Sequence, residues 1–273
     1  MNLSVASSVF VNYSLQDTIS LVAQAGYDGI DFWGGRPHVY RHDHSQPDLE
    51  GLRRLLKTYN LTAVSLMPAF YRYPHSLSLP NDVVRQDSLD YMRQCADNAA
   101  ILGAKILLVV PSHTLYGQHV EDARLRLLDS IDWICRYVSQ YELSLGIEPA
   151  NKMVSDLVNT SSDALKIITE LKHDNLGIVL DTGHLNLTKE SAEAAVKNLG
   201  DLLLQVHVND NDGFHQQNLI PGDGTFDNGG LIELLRATDY GGFLSAELAW
   251  DYSLDPVPAI RKAAERLRDL LQQ

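Results

Sequence analysis

The stretch LGIVLDTGH, residues 176–184, runs through apolar residues into Asp181 and His184. So apolar a run predicts a strand buried on both faces. A carboxylate at its end must be paired, hydrogen-bonded or bound to a cation, because burying a lone charge is costly. Three other segments carry ionisable residues in the same way: Glu148 in LGIEP, His207 in QVHVND and Glu247 in SAELAW. If the fold gathers them, the three carboxylates stay ionised together only when a cation offsets their repulsion. One imidazole with oxygen ligands suits Mn²⁺, Mg²⁺, Co²⁺ or Zn²⁺. Glu148, Asp181, His207 and Glu247 are therefore candidate ligands of one divalent ion.

What could gather them is the order of elements. Strand-like and helix-like stretches alternate from end to end, the signature of repeated βα units and a parallel sheet. The predicted strands are 3–10, 29–34, 61–70, 105–112, 143–149, 176–181, 202–208 and 243–249. Between them lie predicted helices from Ser14 to Gly26, from Pro47 to about Asn60, at 82–102, and across Leu125, Leu128, Ile131, Trp133, Ile134 and Val138. Further helices are expected near 161–172, 189–199, 229–238 and 257–271. Eight units without a linker or a Gly-rich dinucleotide fingerprint predict an α/β fold, a single (β/α)₈ TIM barrel over residues 1–273. In such a barrel the active face lies at the C-terminal strand ends, where all four candidates fall.

Bulk properties agree. The 273 residues suffice for one barrel, and 45% hydrophobic with 21% charged residues is ordinary for a globular protein with a full core. Twenty-two basic against 35 acidic residues leave −13, a field that repels nucleic acid and anionic lipid. Cys95 and Cys135 sit in helix-like segments and read as buried free thiols. The N-terminus has no basic region before a long apolar run, and no stretch of about 18 apolar residues occurs, so a cytoplasmic protein without a membrane partner is expected.

The motifs IEPAN (147–151), LDTGH (180–184), HVND (207–210), PGDGTFD (221–227) and AEL (246–248) resemble those of the xylose isomerase-like TIM-barrel superfamily of sugar isomerases and epimerases. GYDGIDFWGGRPH (26–38), HVNDNDG and IPGDG resemble its ketose 3-epimerases, the fructoselysine 3-epimerases above all. The resemblance implies that Glu148, Asp181, His207 and Glu247 hold one divalent ion, Mn²⁺ first. It also implies that Glu148 and Glu247 act as acid and base, inverting C3 of a ketose through a cis-enediolate. His184 is then expected to touch a substrate oxygen. Trp33, Arg36, His38, His113 and Asp210 are further candidates for contacting a small sugar, through ring stacking or hydrogen bonds. A homo-oligomer, dimer or tetramer, is compatible, with Trp133 or Trp250 at an interface.

Two departures bear on the substrate. Simple ketose 3-epimerases carry a glutamate and an arginine where this chain has Val154 and Gly213, which favours a substituted ketose of fructosyl-amine type. An aldose–ketose isomerase or an inosose-type dehydratase would use the same ligands. The apurinic endonucleases of the superfamily use an Asp-x-His where this chain has Gln216 and Asn218, which, with the negative charge, counts against them. A non-catalytic sugar-binding protein is the remaining alternative.

Overall fold

The computed structural model describes residues 1–70, 74–197 and 199–273. Its strands are β1 (Asn2–Ala6), β2 (Gly29–Trp33), β3 (Thr62–Met67), β4 (Ile106–Val109), β5 (Ser144–Ile147), β6 (Leu176–Asp181), β7 (Leu203–Val208) and β8 (Phe243–Ala246). All pair in parallel in chain order, and β8 closes on β1, forming the expected barrel. The helices are α1 (Leu15–Gln24), α2 (Gln46–Thr58), α3 (Asp82–Leu102), α4 (Val120–Val138), α5 (Ser161–Leu171), α6 (Thr182–Thr188), α7 (Ala192–Val196), α8 (Asn228–Ala237) and α9 (Pro256–Gln272).

Local chemistry fixes the helix starts. Ser14 accepts from the Asp17 amide, while Ser45 with Asp48 and Thr160 with Asp163 form reciprocal capping boxes. Gly26 and Gly103 follow α1 and α3 with φ of +81° and +87°, where a side chain would be strained. Three expectations need correction. The first strand stops at Ala6 and continues as a 3₁₀ turn, Ser7–Phe10. The helix expected at 189–199 is the shorter α7, Ala192–Val196, and an unexpected α6, Thr182–Thr188, precedes it because Asp181 caps a helix directly at the strand end. Leu125 of α4 is exposed, and Leu127, Leu128, Ile131, Ile134, Cys135 and Val138 make its buried face. Cys95 and Cys135 are free and buried, and burial pushes both thiols up to about 12.

Strand alternation divides the core in two. Leu176, Ile178 and Leu180 of β6 pack outward with Ile131, Ile134 and Ile167 of the helix layer. Val179 joins Ala6, Met67, Ile106 and Leu108 in the smaller core inside the barrel. The ladder slips by one residue in two places. Ile178 pairs with Leu203 but Val179 with Gln205, leaving Leu204 between, and Ile30 pairs with Ala63 but Asp31 with Ser65, leaving Val64 between. Gly177 leaves room for the first slip, since a Cβ there would lie 2.6 Å from Leu204 Cγ.

Beyond the slips, polar residues meet inside the barrel. Asp31 is fully buried, and its carboxyl group accepts from Ser65 Oγ at 2.7 Å, Gln205 Nε2 at 2.6 Å and Ser245 Oγ at 2.5 Å, tying β2, β3, β7 and β8 together. Removing the acceptor strands three buried donors. Asp31→Ala is expected to lower unfolding free energy by about 3 kcal/mol, measured by denaturant titration; a loss below about 1 kcal/mol would show the network to be dispensable.

Candidate metal centre

Each candidate ligand is placed by a strand or by its first residue beyond. Asp181 ends β6 and pairs with His207 of β7. Glu148 follows β5 by one residue, its amide donating to Val109 of β4. Glu247 follows β8 in the same way, its amide donating to Val208 of β7. The two glutamates thus stand on backbone still held by the barrel ladder.

The ligand atoms of Glu148, Asp181, His207 and Glu247 lie within 4.8 Å of one another. His207 Nδ1 is 2.8 Å from Glu148 Oε1 and 3.1 Å from Glu247 Oε2. Asp181 is oriented from both sides, accepting the His184 amide on Oδ1 at 2.7 Å and Asn209 Nδ2 on Oδ2 at 2.6 Å. Gly183 makes room for that asparagine: a Cβ there would lie 2.1 Å from Asn209 Oδ1. Three carboxylates with one imidazole, all buried except the half-buried Glu247, suit a hard to borderline divalent cation.

Electrostatics agree with the need for positive charge. Burial pushes Asp181 up to about 7, and Glu247 and Glu148 add to the shift against the opposing pull of His184 and His207. Burial disfavours an imidazolium on His207, but Glu148 and Glu247 outweigh it and hold the ring well above its usual range. Burial would likewise raise Glu247, and its contact with His207 more than reverses this. Without a metal, a proton on His207 does part of the work of an ion.

The pocket above these ligands is also lined by Trp33, Met67, Val154, His184, Gln216 and Asn218. His184 and Trp33 therefore line the same pocket as Glu148, Asp181 and Glu247. Arg36 lies in an adjoining groove with Trp33, Tyr40 and Trp250, bonded to Asp43 at 2.6 and 2.9 Å. His113 is outside the described pocket lining, with Nδ1 3.7 Å from Asp156. His38 and Asp210 are placed differently from expectation. The His38 ring is fully buried, Nδ1 meets Ser7 Oγ at 3.0 Å, and burial lowers it to about 4. Asp210 is also fully buried and accepts from the amides of Asn211, Gly222 and Phe226, pinning the PGDGTFD loop. Both are spent on loop structure. Asn151, Asn209 and Gln216 also stand at the site, bonded to His184, Asp181 and Asn151 respectively, and the only signal the sequence offers for them is the place of Asn151 in IEPAN and Asn209 in HVND.

Residues 19–270 match the family model described as xylose isomerase-like TIM barrel. The chain belongs to that family. This xylose isomerase-like barrel is 28% identical over 251 residues to fructoselysine 3-epimerase of Escherichia coli O157:H7, covering 92% of this chain and 91% of that one. It is 25% identical over 241 residues to L-ribulose 3-epimerase of Methylomonas sp. (strain DH-1), covering 87% and 79%. The solved structure of a D-tagatose 3-epimerase-like protein shares the fold with a TM-score of 0.84 at 22% identity, covering 100% of this chain and 97% of that one. Matched to named epimerases along most of its length, the barrel is an isomerase-class enzyme. Among the described residues no helix is long and apolar enough to cross a membrane.

Metal uptake must displace the His207 proton and, below about 7, the Asp181 proton as well. Affinity for a divalent ion is thus expected to weaken as pH falls, with an apparent Kd rising at least about tenfold between about pH 8 and about pH 6. Calorimetric titration in buffers of different ionisation heat checks this through proton release; a Kd independent of pH contradicts it.

Proposed function

We propose that the protein is a metal-dependent epimerase that inverts C3 of a ketose, favouring a substituted ketose of fructosyl-amine type. The observation carrying this reading is the placement of two glutamates within 3.1 Å of His207 Nδ1, with Asp181 alongside. A divalent ion held by these four residues, Mn²⁺ in preference to Mg²⁺, Co²⁺ or Zn²⁺, supplies a Lewis acid that polarises the ketone and acidifies the neighbouring C–H.

Glu148 and Glu247 carry the proton traffic. They rise from β5 and β8, separated round the ring by β6 and β7, so a sugar between them presents opposite faces to the two carboxylates. One glutamate takes the C3 proton, the other returns one from the far side, and the direction of reaction decides which begins. His184 on the pocket wall donates to a substrate oxygen, and the Trp33 ring stacks against the sugar. Val154 lines the pocket where simple ketose 3-epimerases have a glutamate. Gly213 is held through its carbonyl by Lys189 Nζ at 2.7 Å. Neither can grip the free end of a simple ketose, which supports a substituted substrate, its substituent lying toward the groove of Arg36 and Trp250.

Two measurements test the assignment. In deuterated water, turnover is expected to place solvent deuterium at C3 with inversion; exchange confined to C1, or loss of water, would assign an isomerase or a dehydratase instead. Glu247→Gln is expected to lower kcat by about a thousandfold while sugar affinity stays within a few-fold; full retained activity refutes the role of Glu247.

A further inference from the structure

A hydrogen-bonded chain on the pocket wall has a direction that its donors reveal. Asn151 lies in the loop after β5 and is buried. Its Oδ1 accepts the Met153 amide at 2.8 Å, which fixes the side-chain amide and turns its nitrogen the other way. That nitrogen reaches His184 Nδ1 at 3.0 Å and Gln216 Oε1 at 3.0 Å. An amide nitrogen donates and does not accept, so both of its hydrogens are used.

Two consequences follow for the neighbours. His184 must accept at Nδ1, and a ring that accepts there carries its proton on Nε2. Gln216 spends its carbonyl oxygen on Asn151, leaving its own Nε2 as the free end. His184 and Gln216 both line the pocket that holds Glu148, Asp181 and Glu247. Among the described residues, no hydrogen bond engages either Nε2 atom.

We infer that Asn151 is a positioning residue that locks His184 as the Nε2–H tautomer and orients Gln216, so that this wall offers substrate two hydrogen-bond donors. Its role rests on the sugar-epimerase reading, since it assigns what part of the sugar lies there: an oxygen offering lone pairs, a keto or hydroxyl oxygen. An ammonium or a C–H in its place has nothing to accept with. The pocket is then polarised, with carboxylate acceptors on its floor and amide and imidazole donors at this side. A polyhydroxy ketone, whose hydroxyls both donate and accept, satisfies both.

The tautomer is read directly by long-range ¹H–¹⁵N correlation spectra of ¹⁵N-histidine-labelled protein loaded with Mg²⁺. His184 is expected to show an unprotonated Nδ1 and a protonated Nε2; a protonated Nδ1 overturns the inference whether or not the protein epimerises any sugar. Asn151→Leu is expected to populate both tautomers and to lower kcat/KM about tenfold, the worth of one or two neutral hydrogen bonds. Its Mg²⁺ stoichiometry should remain near that of the parent, with a melting temperature lowered by the loss of the Asn151 hydrogen bonds. Unchanged tautomer and unchanged kcat/KM in a folded Asn151→Leu protein also overturn it, and if that variant does not fold the spectrum of the parent protein still decides.

Discussion

Mutual repulsion among Glu148, Asp181 and Glu247 is the constraint around which the mouth of the barrel is arranged. Carboxylates this close, on a floor shielded from water, push one another toward the neutral form unless positive charge enters among them. The protein's own answer is the His207 imidazole, set between the two glutamates. It is an incomplete answer, because burial first, and then Glu247 and Glu148, still drive Asp181 up to about 7. A cation would complete it, and the bonds from Asn209 and the His184 amide already hold both Asp181 oxygens in place.

Such crowding is sustainable only on a rigid support. Four consecutive strands deliver one ligand each, and the ladder continues one residue beyond β5 and β8 to grip Glu148 and Glu247. Below them the Asp31 network ties four strands across the barrel interior, far apart in sequence though they are. The residues above are of another kind. Gln216, Asn218 and Trp250 belong to the segments after β7 and β8, where Gln216 accepts from Asn151, Asn218 donates to the Glu247 carbonyl and the Trp250 ring meets Trp33 edge-on. The four clustered ionisable side chains and the upper pocket wall thus come from different parts of the chain.

That division also explains how far the amino-acid order could be read. The barrel was legible because apolar strands and amphipathic helices alternate with little interruption, and the clustering of the four ionisable residues because each interrupts an apolar run at one depth. Cap geometry at Asp181 was harder: the side chain that reads as a ligand also starts α6, a helix ahead of the one expected at 189–199. His38 and Asp210 look like pocket residues in one dimension because they sit just past strand ends. Their partners, Ser7 for one and the PGDGTFD amides for the other, come from distant loops that periodicity does not place. Asn151 and Gln216 escaped for the same reason, since an amide acquires its role only from the groups it faces.

The slipped ladder between β6 and β7 has a reach beyond those two strands. Were pairing to run regularly onward from Leu203, Val206 would stand opposite Asp181 and the imidazole would turn toward the outer helices. Anyone transplanting these ligands into another barrel has therefore to carry the supernumerary Leu204 with them, and the glycine that accommodates it. Copying amino-acid identities alone would reproduce the formula of the centre without its shape.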